Sequence, residues 1–229
     1  MKGVFGVAVR TTIVTLVITG LIYPFVMTGI AQVLLPWRAN GSLITDEKGQ
    51  VIGSELIAQG FANPAYFQPR PSAAGDKGYD AANSSGSNLG STSKKLQDRI
   101  KDDVKRLKAE NPDATGPIPA ELVTTSGSGL DPHLSPAAML WQVPRVAKAR
   151  GVTRDRVEAV VTSNIDGRTF GILGEPTVNV LLVNLALDRQ FGKATPLPPA
   201  PEKKETKEAP KEASAPAQPM IQTAPAEAK

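Results

Sequence analysis

The chain has 229 residues, of which 26 are basic and 22 acidic, giving a formal net charge of +4. This small excess, without a basic stripe interleaved with aromatic residues, argues against a nucleic-acid-binding protein. Because there is no cysteine and a single histidine, the sequence excludes disulfides, thiol catalysis and metal sites built on cysteines or several histidines.

The first predicted element is a transmembrane helix at residues 11–36, where the chain is uncharged and predominantly apolar. As a helix, residues 11–35 reach about 37 Å, and a bilayer's hydrocarbon core is about 30 Å thick. Pro36-Trp37-Arg38 ends the run with residues suited to the headgroup layer. A cleaved secretory signal is the alternative, but its apolar region would be shorter and followed by a small-residue cleavage site.

Charge on either side of the span predicts its orientation. Lys2 and Arg10 precede it without any acid, whereas Arg38 is followed by residues of both signs. The positive-inside rule therefore favours a cytoplasmic N-terminus, residues 1–10, and an extracytoplasmic (periplasmic) domain, residues 37–192.

Small residues at helical spacing predict that the span contacts another helix. Gly20, Pro24 and Thr28 share one stripe, and these three residues are candidate partner contacts. Pro24 has no amide hydrogen, so a kink is expected to free the carbonyl of Gly20 for a neighbouring helix or a hydroxyl. An isolated anchor with ordinary small residues is the alternative interpretation.

The first part of the domain is predicted to contain a hairpin, a long loop and a helix. Strands at residues 43–45 and 51–53 would flank the turn Asp46-Glu47-Lys48-Gly49. Residues 61–91 are rich in Gly, Pro, Asn and Ser, and their aromatic residues favour an ordered surface loop. The apolar spacing of residues 93–109 predicts a helix with Ser93 as its N-cap.

The second part begins with a linker and short extended piece at residues 117–123. Ser135-Pro136 is a helix start, and this helix should run through Trp141. Pro144 is then expected to break or kink it before a second short helix at residues 145–150.

Three further elements complete the predicted domain. They are a helix at residues 153–162, a strand or extended link at 168–173, and a buried helix at 178–188 with Leu181, Leu182 and Leu185 on its core face. Residues 193–229, rich in Pro, Ala, Lys and Glu, are predicted to be disordered. The fold class is therefore α+β: one N-terminal span, one mixed domain with helices outnumbering strands, and a tail.

Catalytic interpretations find little support in the sequence. Ser126, Ser128, Asp131 and His133 lie close together, but no Gly-x-Ser-x-Gly follows a strand. The Ser/Gly-rich loops at residues 85–90 and 126–129 lack the lysine of a phosphate-binding P-loop. We therefore predict no catalytic residue and no metal site. An independent membrane-anchored envelope binding protein or hydrolase is the alternative function.

Several segments taken together resemble a known family. They are Tyr23-Pro24, Trp37-Arg38-Ala39-Asn40-Gly41-Ser42, Tyr66-Phe67, Ser85-Gly86-Ser87-Asn88-Leu89, Trp141-Gln142-Val143-Pro144-Arg145-Val146 and Gly174-Glu175-Pro176. The chain resembles the C subunit of the Kdp-type potassium-transporting ATPase of bacteria over about residues 11–188.

This resemblance implies a non-catalytic subunit of a high-affinity potassium uptake pump in the inner membrane. Its partners would be a channel-like A subunit, an ATP-hydrolysing P-type B subunit, a small F subunit and the lipid bilayer. The subunit would assist assembly and raise the ATP affinity of the B subunit as a catalytic chaperone. No cofactor is implied on the chain itself, since ATP would be held through the B subunit.

The resemblance also implies functional residues. The family's ATP-linked glutamine would fall on Gln142, although an extracytoplasmic Gln142 could not touch cytoplasmic ATP. Any effect on nucleotide affinity would then be a coupling through the membrane subunits. Arg38, Arg70 and Asn88 are expected to contact partner subunits.

Overall fold

The computed structural model describes residues 2–195, a long N-terminal helix followed by a mixed helix and strand domain. Of the predicted tail, residues 193–229, all but the first three residues lie outside the described part. The mixed α and β character is confirmed. Among the described residues of the domain, five short strands occur, yet helices hold most of the residues in regular structure.

The apolar N-terminal segment is helical from α1 (Lys2–Val17) through one π-helical turn (Ile18–Ile22) to α2 (Tyr23–Leu34). Gly3–Leu34 is long and apolar enough to cross a membrane, and it begins earlier than the predicted span. The π turn lies immediately before Pro24, where a regular helix would lack one donor. The predicted irregularity at this proline therefore takes the form of a wider turn.

The junction between the helix and the domain is short. After the single turn α3 (Pro36–Ala39), the indole N–H of Trp37 donates to the carbonyl of Leu43 at 3.0 Å. The Asn40 side chain donates to Pro36 O at 2.7 Å and to Gln32 Oε1 at 3.2 Å. Side chains therefore tie the helix end to the first strand.

The predicted hairpin is confirmed as β1 (Leu43–Thr45) paired antiparallel with β2 (Val51–Ser54). Asp46 shapes its turn because one carboxylate oxygen accepts the amides of Lys48 and Gln50, each at 2.9 Å. A local side-chain signal was sufficient to predict this element.

The predicted first helix of the domain is confirmed as α4 (Lys94–Glu110). Ser93 occupies the N-cap position, but its hydroxyl accepts no capping hydrogen bond. The extended piece predicted within residues 117–123 is wrong, because Ala120–Leu122 forms a 3-10 turn in which Leu122 is buried. The strand β3 (His133–Leu134) follows, in a segment for which no strand was predicted.

Helix α5 (Pro136–Arg150) runs uninterrupted past Pro144, so the predicted separate helix at residues 145–150 is wrong. Ser135 caps the start by accepting the amide of Ala138 at 3.2 Å, and Gly151 ends the helix in a left-handed conformation with φ 66°. An internal proline costs roughly 3 kcal/mol relative to alanine. Burial of α5 on both sides of Pro144 offsets that cost.

The end of the domain combines a helix, two strands and a final helix: α6 (Arg154–Ser163), β4 (Ile165–Asp166), β5 (Thr177–Asn179) and α7 (Val180–Phe191). The sheet order is β3-β5-β4, and both pairs are antiparallel. The predicted strand or link at 168–173 is instead a tight turn closed by a bridge between Thr169 and Leu173.

The core lies between α5, α6, α7 and the β3-β5-β4 sheet, with Phe67 of the long loop inserted into it. On α7 the predicted core face is partly wrong, since Leu181 is buried but Leu182 and Leu185 are half-buried. The fully buried face presents the following residues: Val180, Val183, Asn184 and Leu187. Trp141 is also buried in the core.

Candidate functional site

The long loop, residues 61–91, is ordered and held by polar side chains of α5 and α7. Gln142 is central to this arrangement. Its Oε1 accepts the amide of Gln68 at 2.9 Å, and its Nε2 donates to the carbonyl of Gln68 at 3.1 Å. The side-chain amide therefore pairs with the loop backbone as a neighbouring strand would.

The remaining capacity of the Gln142 amide is also used. Arg145 donates to Oε1 at 2.9 Å, and Nε2 donates a second bond to Ala138 O at 3.5 Å. A glutamine amide has two donor hydrogens and two acceptor lone pairs. All four are occupied, and Gln142 is 2% exposed, so the side chain is a satisfied internal clamp on the loop.

Asn184 repeats the same geometry one residue earlier in the loop. Its Oδ1 accepts the amide of Phe67 at 2.8 Å, and its Nδ2 donates to the carbonyl of Phe67 at 3.0 Å. Two amides from different helices thus hold two consecutive loop residues, and the Phe67 side chain is fully buried in the core. We call Gln142 and Asn184 the amide pair.

Two arginines of α5 form hydrogen bonds with backbone carbonyls near the start of the loop. Arg145 donates to Pro64 O at 2.6 Å, and Arg150 donates to Ala65 O at 2.7 Å. Burial lowers the pKa of Arg145 to about 10, and the charge of Glu110 partly opposes that shift. The guanidinium therefore stays charged at neutral pH.

Arg150 also joins the loop to the last helix. Its Nη2 contacts Asp188 Oδ1 at 2.8 Å, and its guanidinium lies 4.9 Å from the centre of the Tyr66 ring. The Tyr66 hydroxyl donates to the other Asp188 oxygen at 2.9 Å. Burial, followed by this bond to Asp188, raises the pKa of Tyr66.

A cleft of about 430 Å³ lies beside the amide pair, with Gln68 and Gln142 in its wall. Arg106 also lines it, but its charge is compensated by Asp103 at 2.9 Å and Glu110 at 3.2 Å. Burial raises the pKa of Tyr79, another lining residue, to about 12. The lining therefore offers hydrogen-bonding groups but no nucleophile beside a base.

Arg70 links the long loop to the following one. It donates to Thr124 O at 3.4 Å and Thr125 O at 3.3 Å, and it contacts Asp131 at 3.4 Å. The Tyr79 hydroxyl donates to the Arg70 carbonyl at 2.9 Å. The half-buried Arg70 side chain is therefore an internal crosslink, with part of its surface left free for a partner.

The loops considered for phosphate binding fill each other's space. The amide of Ser85 donates to Ser128 O at 2.9 Å, and a Cβ added at Gly86 would lie 2.9 Å from Gly127 O. The residues considered for hydrolysis do not form a relay, since His133 Nδ1 lies 3.8 Å from Asp131. Among the described residues, no serine hydroxyl bonds to His133.

Comparison with known proteins identifies the family. A family model described as KdpC, the c chain of K+-transporting ATPase, matches residues 5–189. The chain belongs to the KdpC family. Membership confirms the resemblance found in the sequence, and the family's description makes its members one chain of a potassium-transporting ATPase.

Individual proteins of the KdpC family are also similar to this chain over most of its length. The chain is 62% identical over 200 residues to the potassium-transporting ATPase KdpC subunit of Myxococcus xanthus, covering 87% of this chain and 93% of the relative. It is 55% identical over 197 residues to the protein of the same name from Bradyrhizobium diazoefficiens, covering 81% and 96%. The similarity to that of Rhodopseudomonas palustris is 56% over 192 residues, covering 79% and 94%.

The candidate contact residues of this KdpC chain lie in three separate places. Gly20, Pro24 and Thr28 are exposed on the N-terminal helix, and Arg38 is exposed in α3 at its end. Asn88 is exposed in the long loop with a left-handed φ of 50°. Gly20, Pro24 and Thr28 lie on successive turns of one helix, but among the described residues no side-chain hydrogen bond joins them to Arg38 or Asn88. Contacts of these residues with partner subunits stay predictions, as does the nucleotide-linked role of Gln142.

Sequence reasoning missed most of the residues that hold the long loop. Asn184, Arg145, Arg150 and Asp188 were not singled out, although all four lie on helices. A signal was available on α5, where the polar residues Gln142, Arg145 and Arg150 lie among mostly apolar residues. Polar residues on a buried helix face need partners, which predicts a polar segment packed against it.

Proposed function

We propose that this chain is the accessory subunit of an ATP-driven potassium uptake pump in the bacterial inner membrane. The family match across residues 5–189 carries this proposal, since the relatives are named as subunits of a potassium-transporting ATPase. The apolar helix Gly3–Leu34 supports a single membrane anchor. The chain would assemble with the channel-like A subunit, the ATP-hydrolysing B subunit and the small F subunit.

In this proposal the domain is extracytoplasmic and the N-terminus cytoplasmic. Lys2 and Arg10 support that orientation through the positive-inside rule. A reporter fused after Asp188 tests it. We expect a periplasmic alkaline phosphatase fusion to be active and a cytoplasmic reporter fusion to be inactive, and the reverse result would contradict the orientation.

The chain would raise the ATP affinity of the B subunit from a distance. The closed geometry of Gln142, whose amide is fully used inside the domain, supports a structural rather than a nucleotide-contacting contribution. The effect on ATP would then be a coupling free energy transmitted through the membrane subunits, which for typical allosteric systems is about 1–3 kcal/mol.

The test is potassium-stimulated ATP hydrolysis in membranes that contain or lack this chain. We expect its removal to abolish potassium-stimulated hydrolysis or to raise the ATP concentration needed for half-maximal rate. Restoring the chain should recover the activity. Potassium-stimulated hydrolysis with an unchanged ATP dependence in the absence of the chain would contradict the proposed function.

A further inference from the structure

Two buried side-chain atoms without a hydrogen-bond partner belong to residues that line one cavity of the domain. They are Oδ1 of Asn111 and Nε1 of Trp141, in residues that are 3% and 8% exposed. Within residues 2–195, nothing donates to the first atom and nothing accepts from the second. Buried polar groups in folded proteins are almost always paired, so an acceptor and a donor left over in one cavity wall point to a ligand.

The orientation of the Asn111 side chain is fixed by its other polar atom. Its Nδ2 donates to the carbonyl of Trp141 at 2.6 Å, and a carbonyl can only accept, so the amide cannot be flipped. The backbone N–H of Asn111 donates to Leu107 O at 3.0 Å and ends α4. The unpaired side-chain atom is therefore an acceptor, whereas the indole supplies a donor.

The cavity has a volume of about 680 Å³ and lies between the end of α4, the segment that follows it and α5. Most of its lining is apolar, and the apolar side chains are those of Val104, Pro112, Ala114, Pro117, Ile118 and Trp141. Ligand sites in proteins typically combine such a lining with a few polar groups that fix the orientation of the ligand. The Asn111 oxygen and the indole N–H are the two polar groups available for this purpose.

A second cavity, of about 540 Å³, adjoins the first, because Pro117 and Trp141 line both. Pro119, Leu140 and Pro144 continue the apolar lining on this side. A ligand that fills both cavities must be elongated, since it has to pass the two residues that the cavities share. The site therefore suits an extended chain better than a compact molecule.

An extended peptide meets the polar and the apolar requirements together. One backbone carbonyl can accept the indole N–H, and one backbone N–H can donate to the Asn111 oxygen. Proline-rich segments are the class of peptide that docks in aromatic-lined grooves, because the polyproline II helix is preformed and makes no internal hydrogen bonds. Tryptophan and proline side chains line both cavities and match that class.

We propose that the two cavities that share Pro117 and Trp141 form a binding groove for a proline-rich peptide segment. The Trp141 indole donates to a peptide carbonyl, and Asn111 Oδ1 accepts an N–H from a residue of the peptide other than proline. This proposal does not depend on the proposed function, because the unpaired atoms and the cavities of the domain carry it. One sequence of this class, Pro-Leu-Pro-Pro-Ala-Pro, occurs in this chain at residues 196–201, outside the described part.

The test measures the fluorescence anisotropy of a dye-labelled peptide, Pro-Leu-Pro-Pro-Ala-Pro methyl ester, titrated with the full chain in detergent. Trp141→Phe removes the indole N–H and keeps an aromatic ring. Trp37→Phe makes the same change at the other tryptophan of the chain, outside the groove, and is the matched control. Labelled hexaproline methyl ester is the control peptide, because it has no backbone N–H to donate to Asn111.

We expect saturable binding of the probe. Trp141→Phe should weaken binding about two- to tenfold, the effect of losing one neutral hydrogen bond, and Trp37→Phe should bind as the wild type does. Hexaproline should bind more weakly than the probe by a similar factor. Circular dichroism checks that both variants are folded, and neither loses a folded-state side-chain bond within the groove, since the indole N–H of Trp141 has no partner there.

A second full-length chain, with serine in place of the four prolines within residues 196–201, distinguishes the sources of the peptide. Tighter binding of the probe to this chain than to the wild type would support the groove and show that the chain's own prolines compete for it. Equal affinity would support the groove and assign its ligand to another polypeptide. Failure of both chains to bind the probe saturably, or equal affinity of Trp141→Phe and Trp37→Phe, would overturn the proposal and leave the proposed function unaffected.

Discussion

Gln142 and Asn184 show how a single side chain can hold an irregular segment in place. Each satisfies both the amide and the carbonyl of one loop residue, which gives the loop the backbone pairing that a sheet would supply. The cost of losing such a residue is therefore larger than one hydrogen bond, because several buried groups become unpaired together.

This argument predicts the effect of Gln142→Ala. The amide and carbonyl of Gln68 lose their partners, and we expect the free energy of unfolding to fall by about 2–3 kcal/mol. Thermal unfolding of the full chain in detergent measures the change. Gln97→Ala, which truncates an exposed glutamine on α4, is the control and should change stability by less than about 0.5 kcal/mol.

The same pair of variants separates a structural from a nucleotide-linked role. If Gln142→Ala is as stable as Gln97→Ala, the hydrogen bonds of Gln142 to the loop do not contribute to the free energy of unfolding. A Gln142→Ala chain of unchanged stability that nevertheless raises the pump's requirement for ATP would favour the role implied by the family resemblance.

Tyr79 gives a prediction at alkaline pH. Burial raises its pKa to about 12 from an ordinary value of 10.0, so the folded chain keeps the phenol proton longer than the unfolded chain does. This contribution to stability is present below pH 10 and is lost as the pH rises towards 12. We expect the stability advantage of the wild type over Tyr79→Phe to shrink across that interval.

Denaturant unfolding of both proteins at pH 8 and pH 11 measures this change. The lowered pKa of Arg145 acts in the opposite direction over the same interval, because its unfolded form binds more protons. Arg145 is present in both proteins, so its effect cancels in the difference. A pH-independent difference would show that the Tyr79 phenol has an ordinary pKa.

At the scale of elements, α5 is a helix maintained against local preference. Pro144 removes the amide that would bond to Leu140 O, yet the helix continues to Arg150 because its other faces are buried. We expect Pro144→Ala to raise the free energy of unfolding by about 1–2 kcal/mol without changing the helical content. Circular dichroism with thermal unfolding tests this, and a loss of stability would mean that ring packing outweighs the restored bond.

The turn between β4 and β5 gives the opposite case, an element with little packing. Phe170 is 88% exposed and has a φ of 54°, a left-handed value that is unfavourable for a phenylalanine. Asparagine adopts this conformation more readily, so Phe170→Asn should raise the free energy of unfolding by up to about 1 kcal/mol. Phe170→Val, which is β-branched, should lower it, and equal stability of both variants would contradict the argument.

The elements also show what the sequence could predict. The β1-β2 hairpin and α4 were predictable because Asp46 and the apolar spacing of α4 act locally. The strands β3, β4 and β5 have two or three residues each and exist through pairing across the chain, so no local pattern indicates them. Pro144 misled the prediction because its effect depends on burial that only the folded domain supplies.

The candidate site was predictable to a similar extent. The family resemblance singled out Gln142, but its partner Gln68 lies 74 residues away in a loop without regular structure. Asn184 and Arg150 also act over long sequence separations, and the composition of their helices does not reveal what they contact. The sequence could therefore single out Gln142, but only the folded structure shows which residues it contacts.

At the scale of the whole molecule, the domain follows one helix that is long and apolar enough to cross a membrane. We expect the full chain to stay in the membrane fraction after an alkaline carbonate wash, because Gly3–Leu34 is apolar throughout most of its length. A variant without Gly3–Leu34 should appear in the soluble fraction. Release of the full chain by carbonate, or membrane retention of the shortened chain, would contradict a single anchor.

The short junction at Trp37 and Asn40 has a mechanical consequence. The Trp37 indole is hydrogen-bonded to the first strand, and the Asn40 side-chain amide is hydrogen-bonded to the preceding helix. Because these bonds restrict rotation at the junction, a rotation of the helix about its axis is transmitted to the domain. A partner that turns the helix would thereby rotate the domain through the same angle. Fluorescence anisotropy decay from dyes on the helix and on the domain should then give one common rotational time.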